Sequence, residues 1–552
     1  MKMIMSGSSF LLFNVLILLS VYTRIAFGAN SGVAAEADRK CMDTERQALL
    51  KFKQGVVDDC GYLSSWGNDE SRKDCCKWRG VQCSNRTGHV IMLDLKYKVD
   101  PVCPNRPLRE FSSLQELYLF DNKLDGSFPE NFEQPSPLIL LNLDSNQLWG
   151  SLPDLSVFPY LTSLDVSDNR LNGTVSEGLG QLSNLEFLDL FGNSLEGTIT
   201  EAHLSNLSKL TYMDFSFSSL ALNFSSNWLP PFKLEYIGLL NCKLGPRFPK
   251  WLQSQRSYYY LDISNAGISD IVPTWFWNLS PNLYYLNISY NHLEGTVPDL
   301  SLNSSGYPGI DLSSNGFEGS MPRVPSNMTS LNLSKNKFSG PISSLCSISG
   351  EYFSYLDLSD NLLSGELPDC WLHWQALAVL NLANNNFSGK VPDLMDYECS
   401  MESFNLRNNS FVGELPLLLK KCNEMKILDV GENRFSGTIP AWIRDSLPNL
   451  AILSLRSNHF LGTIPVNLCQ LSKIQLLDFS LNNISGTIPK CLNNLTAMVE
   501  KGSSNTTITH IYVYYRSATL DGFVAKYDDI GNNSMERNRS RVQKNPGTCK
   551  EH

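Results

Sequence analysis

The stretch that decides the fold is residues 428–440, which read LDVGENRFSGTIP. Side chains alternate along an extended strand, so Leu428 and Val430 point to one side while Asp429 points to the other. Asn433 lies five residues after the first leucine. Its amide can donate and accept hydrogen bonds, so it can satisfy backbone groups that are buried where the strand turns away. The glycine and the proline that end the stretch favour a tight turn. The stretch therefore predicts one short strand that turns out of a sheet.

The same pattern recurs along most of the chain at steps of 23 to 25 residues, apart from one shorter step after Ile310. This period is typical of a leucine-rich repeat, in which each coil contributes one short parallel strand and buries its apolar side against its neighbours. We predict an α/β leucine-rich-repeat solenoid, a curved superhelix with a parallel concave β-sheet. The seventeen L-x-L segments begin at Leu93, Leu117, Leu141, Leu164, Leu188, Met213, Ile237, Leu261, Leu286, Ile310, Leu331, Leu356, Leu380, Phe404, Leu428, Leu453 and Leu477.

The asparagine of the repeat is missing in three consecutive coils. Ser218, Cys242 and Ala266 occupy its position there. We therefore expect the weakest hydrogen-bond ladder between coils in this part of the chain.

Composition and charge limit the class of protein. The chain has 552 residues, of which 42% are hydrophobic and 18% are charged, with a formal net charge of −10. The hydrophobic content is sufficient for the core of an elongated domain. The negative net charge argues against a nucleic-acid partner.

The beginning of the chain is typical of a secretory signal peptide, which we place at residues 1–28. Lys2 is followed by an apolar run at residues 10–22 and by a small-residue cleavage site that ends at Gly28. Farther along, no window of about 18 consecutive apolar residues occurs, so we expect a mature extracellular protein without a membrane span.

Fourteen cysteines indicate an oxidising compartment. Cys41, Cys75, Cys76 and Cys83 surround a short amphipathic segment, and we expect them to stabilise an N-terminal cap at residues 29–92. Four cysteines allow three connectivities. Among these we favour Cys41 with Cys75 and Cys76 with Cys83.

Six further cysteines lie in pairs 22 to 24 residues apart, which is one repeat period. Neighbouring strands lie about 4.8 Å apart, within the Cα separation that a disulfide accepts, so each pair is predicted to bridge adjacent coils. The alternative is that they are reduced, buried thiols. The pairs are Cys346 with Cys370, Cys399 with Cys422, and Cys469 with Cys491.

Sixteen Asn-x-Ser/Thr sequons occur in the chain, and many sequons of a secreted protein carry glycans. Asn287 and Asn332 occupy outward positions of predicted strands, where a sugar would block part of the concave face. The predicted glycosylation sites are Asn85, Asn172, Asn206, Asn223, Asn278, Asn287, Asn303, Asn327, Asn332, Asn386, Asn408, Asn483, Asn494 and Asn505.

The candidate ligand-binding surface is a row of aromatic residues. The position just before the first strand leucine is aromatic in five successive coils, and neighbouring strands lie close enough for these rings to form a ladder on the concave face. Tyrosine offers a large, rigid contact area with a hydroxyl group, as recognition surfaces do. The alternative is that the rings only stack on one another and stabilise the sheet. The ladder consists of Phe187, Tyr212, Tyr236, Tyr260 and Tyr285, and Tyr259, Tyr284, Tyr290 and Phe217 widen it.

The sequence does not indicate an enzyme. The seven histidines do not recur with cysteines or carboxylates at the spacing of metal ligands. The aspartates between the two strand leucines, such as Asp165 and Asp189, follow the repeat period, so we interpret them as repeat positions rather than as a catalytic pair. Motifs of hydrolases, nucleotide-binding proteins and kinases are missing. We expect no catalytic residue, no metal site and no cofactor.

The cap and the repeats resemble a known family. The cap begins with CMDTER at residues 41–46 and continues with CCKWRGVQC at residues 75–83 and TGHV at residues 87–90. This sequence closely resembles plant leucine-rich-repeat receptor-like proteins, in particular the receptors for fungal ethylene-inducing xylanase. The L-x-G-x-I-P repeats are similar to the plant-specific repeats of that family, and the resemblance covers roughly residues 1–530.

The resemblance implies an extracellular ectodomain that perceives a microbial elicitor or a peptide in plant defence. Members of the family have an island that interrupts the late repeats, a few closing repeats, one membrane helix and a short tail without a kinase domain. They are single-pass proteins of the cell membrane that signal through an adaptor receptor kinase and a co-receptor.

The end of the chain departs from this plan. Residues 93–494 contain about 17 repeats, residues 495–530 resemble the start of the island, and residues 531–552 are polar and lack the repeat. One choice of codons for residues 535–552, read one nucleotide later, encodes a different peptide. That peptide resembles the sequence that follows the island in this family. We therefore expect a frameshift near residues 530–534, through either a truncating allele or an error in the gene model, that removes the closing repeats and the membrane anchor.

The alternative function is a secreted inhibitor or a decoy. Plant polygalacturonase-inhibiting proteins have a similar cap and repeat type, and they bind pathogen glycosidases through the concave face. The seventeen repeats and the island segment favour the receptor ectodomain, because those inhibitors are shorter.

Overall fold

The computed structural model describes residues 41–54, 62–84, 87–94, 114–128, 137–301, 307–393, 399–495, 507–515 and 522–530. The predicted signal peptide, the polar tail and the sequons at Asn85, Asn303 and Asn505 lie outside these residues. The chain divides into two compact units, Met1–Gly267 and Ile268–His552.

Every one of the seventeen L-x-L segments forms a strand, and within each unit consecutive strands pair in parallel. The register aligns the same repeat position from coil to coil, for example Phe404 with Leu428 and Leu428 with Leu453. The predicted parallel sheet is thereby confirmed. The strands are Val90–Asp94, Glu116–Tyr118, Leu140–Asn142, Ser163–Asp165, Phe187–Asp189, Tyr212–Asp214, Tyr236–Gly238 and Tyr260–Asp262 in the first unit, and Tyr285–Asn287, Gly309–Asp311, Ser330–Asn332, Tyr355–Asp357, Val379–Asn381, Ser403–Asn405, Ile427–Asp429, Ile452–Ser454 and Leu476–Asp478 in the second.

A lateral strand follows the asparagine position in most coils, and these strands also pair in parallel. Its glycine has a positive φ, such as 91° at Gly437, which the missing Cβ permits. The lateral strands are Asp125–Gly126, Gln147–Ser151, Arg170–Thr174, Ser194–Ile199 and Ser219–Leu222 in the first unit, and Glu294–Thr296, Gly316–Ser320, Lys337–Gly340, Leu362–Gly365, Asn386–Lys390, Ser410–Gly413, Arg434–Thr438, His459–Gly462 and Asn483–Ile484 in the second.

In several coils a short helical turn returns the chain from the lateral strand to the next main strand, and the cap contains further helices. Among the described residues, no helix has the length and apolar character that a bilayer crossing needs. The α-helices are Asp43–Gln54, Glu201–Leu204 and Trp442–Ser446, and the 3₁₀ helices are Tyr62–Ser65, Glu70–Arg72, Cys75–Lys77, Leu155–Val157, Glu177–Gln181, Lys250–Ser254, Ser343–Ser347, Asp369–His373, Leu417–Lys421, Val466–Gln470 and Lys490–Asn494.

The repeated asparagine connects each coil to the one before it. Asn433 Nδ2 donates to the carbonyl oxygens of Val430 and Gly431 in its own coil and of Leu406 in the preceding coil. Its Oδ1 accepts the Phe411 N–H at 3.0 Å. One side chain thus bonds four backbone groups, with the two Nδ2 hydrogens shared among three carbonyl oxygens.

The substitutions at this position reduce the bonding between coils. Ser218 donates one short bond, of 2.6 Å, to the Phe215 carbonyl oxygen. Cys242 reaches the same oxygen at 3.3 Å through its sulfur, and Ala266 has no polar side chain. Burial raises the pKa of the Cys242 thiol to about 12, so this cysteine, which is unbridged in the described part of the chain, stays protonated.

The cap packs two tryptophans over the first coil. Trp66 and Trp78 are buried and stack with ring centroids 5.4 Å apart. Buried Glu45 accepts the Val90 N–H at 2.9 Å, which ties the cap helix to the first main strand. The antiparallel strand Val81–Cys83 also pairs with that strand.

The described residues contain five disulfides, two in the cap and three between adjacent coils. The cap contains Cys41–Cys75 and Cys76–Cys83, each with Cα atoms 5.3 Å apart. The pairs one repeat period apart have Cα separations of 4.6 to 5.6 Å, because adjacent coils lie one strand spacing apart. They are Cys346–Cys370, Cys399–Cys422 and Cys469–Cys491.

The segment that resembles an island does not continue the repeat. Thr507–Tyr515 and Gly522–Ile530 form an antiparallel strand pair. Antiparallel pairing departs from the parallel order of the coils, so this segment is a separate structural element.

Candidate functional site

The strand face of each unit consists of the side chains on either side of the first strand leucine. The strand Tyr212–Asp214 buries Met213 and turns its other two side chains outward. In-register pairing then aligns these positions into two rows in the first unit. We call them the aromatic row, Phe187, Tyr212, Tyr236 and Tyr260, and the acidic row, Asp165, Asp189, Asp214 and Asp262.

The aromatic row is a continuous stack. The ring centroids of Phe187 and Tyr212 lie 4.1 Å apart, those of Tyr212 and Tyr236 lie 4.2 Å apart, and those of Tyr236 and Tyr260 lie 4.1 Å apart. The interplanar angles are 17°, 13° and 5°. Tyr259 packs edge-on against Tyr236 at 6.1 Å. The strand spacing imposes this stacking, and the stack immobilises the rings.

Hydrogen bonds connect the two rows. Tyr212 Oη donates to Asp189 Oδ2 at 3.2 Å, and Tyr236 Oη donates to Asp214 Oδ2 at 3.1 Å. In both cases the carboxylate belongs to the preceding coil. Each phenol therefore fixes its own ring and satisfies a buried charge, which would otherwise be costly.

The acidic row has a structural role at its other oxygen atoms. Asp189 Oδ1 accepts the N–H of Phe191 at 3.0 Å, and Asp214 Oδ1 accepts the N–H of Ser216 at 2.8 Å. Asp165 and Asp262 make the same bond to the residue two positions later. The carboxylates thus stabilise the chain as it leaves each strand, and this use accounts for their repeat spacing.

Gly238 interrupts the acidic row for a steric reason. A Cβ at this position would lie 2.4 Å from Asp214 Oδ1, well inside van der Waals contact. The Asp214 carboxylate occupies this space and reaches the Tyr236 hydroxyl from it. The glycine therefore makes room for the bond between the two rows.

Burial controls the protonation of the phenols. It raises the pKa of Tyr212 well above its usual value, and the charges of Asp189, Asp214 and Asp165 raise it further. Burial also raises the pKa of Tyr236, with contributions from the neighbouring phenols and carboxylates. Both phenols therefore remain protonated donors at physiological pH.

The predicted site residues differ in their exposure. Phe187, Tyr212 and Tyr259 are half-buried, whereas Tyr236 and Tyr260 are only 5% and 7% exposed. In the second unit Tyr284 is buried and Tyr285 is half-buried. The half-buried rings form the accessible part of the surface, and the buried rings support them.

Sequence reasoning missed one member of this surface, Phe191. Its ring meets that of Phe217 edge-on, with centroids 5.3 Å apart, and both residues are half-buried. Phe191 stands two residues after Asp189, where other coils of the acidic row have Ser167, Ser216 or Ser264, and that departure was the available signal. We call Phe187, Phe191, Tyr212, Phe217 and Tyr259 the aromatic face.

The second unit has amides and carboxylates in the position of the acidic row. Asn332 Nδ2 donates to Asp311 Oδ2 at 3.1 Å, and Asn381 Nδ2 donates to Asp357 Oδ2 at 3.1 Å. Desolvation raises the pKa of Asp311 to about 6, against hydrogen bonds from Ser313 and Asn332, and the nearby charge of Asp357 adds to the rise.

This raised pKa predicts a pH-dependent stability. The unfolded carboxyl titrates near pH 4 and the folded one near pH 6, so the stabilisation is complete below about pH 4 and is lost as the pH rises through about 6. The loss is at most about 3 kcal/mol. Asp311→Asn should therefore melt at the same temperature as the wild type near pH 4 and at a higher temperature near pH 7.

The comparison requires protein from a host without N-glycosylation, because the substitution also creates a sequon with Ser313. A melting difference between variant and wild type that does not change with pH would contradict the assignment to Asp311. Asp360→Asn, in the same unit, serves as the matched control.

The predicted glycosylation sites occupy different environments. Asn287 is only 5% exposed and its Oδ1 accepts the Ser289 N–H at 3.0 Å. Asn332 is half-buried and bonds both Ser334 and Asp311. The half-buried sequon outside the main strands is Asn327, and the exposed sequon asparagines are Asn172, Asn206, Asn223, Asn278, Asn386, Asn408 and Asn483.

Family models match both parts of this architecture. The leucine rich repeat N-terminal domain matches residues 42–84, which is the cap. The Leucine Rich Repeat model matches seven segments, at residues 113–134, 160–182, 282–303, 353–374, 376–397, 449–471 and 473–495. The chain is a leucine-rich-repeat solenoid with a disulfide-containing N-terminal cap.

The chain is homologous to plant receptor-like proteins. It is 51% identical over 182 residues to Receptor-like protein EIX2 of Solanum lycopersicum, an alignment that covers 33% of this chain and 18% of that protein. It is 57% identical over 131 residues to Receptor-like protein EIX1 of the same species, covering 24% and 13%. The chain thus aligns with less than a fifth of the length of either relative.

A solved structure has the same fold. The Arabidopsis receptor kinase HAESA, in a crystal structure with the peptide hormone IDA and the co-receptor SERK1, is 26% identical to the chain, with a TM-score of 0.54. The match covers 82% of this chain and 92% of that one.

Proposed function

We propose that the chain is the ligand-binding ectodomain of a plant leucine-rich-repeat receptor-like protein, and that its aromatic face binds a protein or peptide elicitor. The observation that carries the proposal is the rigid stack of the aromatic row, which leaves half-buried rings at the strand face. Preordered aromatic rings lose little conformational freedom on binding, and aromatic residues are enriched at binding hot spots.

The backbone at the edge of this face supports the proposal. Phe217 has a φ of 58°, in the left-handed region that bulky residues rarely adopt. Most coils have Asp, Asn, Ser or Gly at this position. A large ring held in such a conformation costs about 1 kcal/mol or more, which is common at functional sites.

The homology to EIX2 and EIX1 supports a role in perception at the cell surface. We propose that the ligand is a microbial elicitor or a peptide, and that an adaptor receptor kinase and a co-receptor carry the signal. The HAESA complex, which contains a peptide hormone and a co-receptor, supports this type of assembly. The bonds that occupy the acidic row also favour a binding protein over an enzyme.

The proposal predicts that the half-buried rings determine affinity. Phe187→Ser combined with Tyr259→Ser should weaken binding of purified fungal ethylene-inducing xylanase at least about tenfold, because truncating a hot-spot ring costs more than 1 kcal/mol. Surface plasmon resonance on the secreted ectodomain measures this change.

Tyr160→Ser is the matched control, because Tyr160 is 59% exposed and belongs to neither row. It should leave the affinity unchanged, and circular dichroism should show that both variants are folded. Undiminished binding by the double variant, or no binding by the wild type, would contradict the proposal.

A further inference from the structure

A cavity of about 550 Å³ opens in the second unit, where the chain leaves the lateral strands. It is lined by Ser301, Arg323, Ser343, Ser344 and Ser347. These residues come from three successive coils, and none of them belongs to the aromatic face.

The shortest repeat of the chain forms the middle of this cavity. The coil that begins at Ile310 reaches the next strand leucine, Leu331, after 21 residues. No helix follows its lateral strand Gly316–Ser320, whereas the next coil has the 3₁₀ helix Ser343–Ser347 there. The missing helical turn leaves space beside Arg323.

Other coils have a carboxylate at the position of Arg323, thirteen residues after the first strand leucine. Asp154 Oδ1 accepts the hydroxyl of Ser176 at 3.1 Å. Glu201 Oε1 accepts the Ser225 N–H, and Asp393 Oδ1 accepts the Leu418 N–H at 3.0 Å. In each case the donor belongs to the next coil, so the acidic side chain connects two coils.

Arg323 replaces that acceptor with a cation. In the next coil, Ser344 Oγ is buried and has no hydrogen-bond partner among the described residues. A buried hydroxyl without a partner costs about 1 to 3 kcal/mol. The cavity therefore combines a guanidinium group with an unsatisfied hydroxyl at a position where several other coils have a carboxylate.

We propose that this cavity binds the carboxylate of an acidic sugar, a uronate residue of an oligosaccharide. Arginine pairs with a carboxylate through two parallel hydrogen bonds, and the bound carboxylate supplies the acceptor that this coil lacks. The serine hydroxyls both donate and accept, which matches the hydroxyl groups of a sugar ring.

The charge around the cavity favours a single negative charge over a phosphate dianion. Asp299 lies in the preceding coil, and its Oδ1 accepts the Ser301 N–H at 2.8 Å. This fixed carboxylate interacts with the charge of Arg323 and already offsets part of it, so the site accommodates one further negative charge better than two. The site is independent of the aromatic face, so the proposed elicitor binding can fail without affecting it.

Isothermal titration calorimetry with trigalacturonate tests the proposal. Arg323→Gln should weaken binding at least about tenfold, because the charged hydrogen bonds are lost. Arg434→Gln, at an exposed lateral-strand arginine, is the matched control and should bind as the wild type does. Arg323→Asp should remain folded, because Glu177 and Glu201 already place acids at this position in consecutive coils, and it should abolish binding.

Two further ligands test whether binding requires both the free carboxylate and the sugar ring. Fully methyl-esterified trigalacturonate and a glutamate-containing tripeptide should both fail to bind. Equal binding of the ester would exclude the carboxylate, and equal binding of the tripeptide would exclude the sugar. No binding of trigalacturonate to the wild type, or equal binding to Arg323→Gln, would also overturn the proposal.

Discussion

Replacing Tyr236 with serine is expected to lower the free energy of unfolding by about 4 kcal/mol, as for other buried aromatic rings. The ring is buried and stacks against Tyr212 on one face and Tyr260 on the other. Its hydroxyl also donates to Asp214 Oδ2. The substitution therefore removes two ring contacts and leaves a buried carboxylate with one donor fewer.

Thermal and urea unfolding of the secreted protein measure this loss, and Tyr236→Phe separates its two causes. The phenylalanine variant keeps the stack and loses only the hydroxyl bond, so we expect a change of about 1 to 2 kcal/mol. Tyr160→Ser, at an exposed tyrosine, should stay within about 0.5 kcal/mol of the wild type. If Tyr236→Ser were equally mild, the stack would not stabilise the sheet.

Replacing Asn433 with alanine should lower the free energy of unfolding by about 2 to 3 kcal/mol. The side chain is 7% exposed and makes four hydrogen bonds to backbone groups. Alanine leaves the Phe411 N–H without this acceptor, and a buried donor left unsatisfied costs about 1 to 3 kcal/mol. Each of the three carbonyl oxygens loses one donor but keeps a second one, from Asn409, Asn458 or the Asn408 N–H.

The interrupted part of the asparagine ladder provides the control. Ser218 makes one strong bond to the Phe215 carbonyl oxygen, so Ser218→Ala should cost only about 1 kcal/mol. The denaturation midpoints of the two variants can be compared directly, because both substitutions act at the same repeat position. Equal midpoints would show that the amide contributes no more than a hydroxyl.

Features that depend on register could be predicted from the sequence. Residues one period apart become neighbours in adjacent coils, so the spacing of Cys399 and Cys422 predicts a pair that can form a disulfide. The same argument predicts the contact between Tyr212 and Tyr236. In a solenoid the period alone determines which side chains meet along a row.

Features that depend on side-chain direction between rows could not be predicted. The bond from Tyr236 to Asp214 runs diagonally, from one row to the other and from one coil to the preceding one. It also requires the space above Gly238. The repeat pattern gives neither the tilt of a ring nor its exposure, so the sequence could not separate half-buried Tyr212 from buried Tyr236.

Irregular coils carried information that the period did not reveal. The short step after Ile310 was visible in the sequence, but its effect depends on which helical turn is lost. The sequence did not show that Arg323 lies beside the helix Ser343–Ser347, which the structure places at the same cavity. A departure from the repeat thus changes the local geometry even where no motif marks it.

In the second unit a serine also lies two residues after several main-strand aspartates and asparagines. This serine makes the main-strand sheet sensitive to point mutation in a way that depends on the host cell. Asp357 Oδ1 accepts both the N–H and the hydroxyl of Ser359, and Asn332 Oδ1 accepts the same two groups of Ser334. Asparagine can therefore replace aspartate in the bonds to the serine, and it loses the bond that Asp357 Oδ2 accepts from Asn381. In the genetic code this exchange needs a single base, and it turns the segment into an acceptor for oligosaccharyltransferase. A mutation that is silent in a bacterial host would then place a glycan within the sheet of a plant protein.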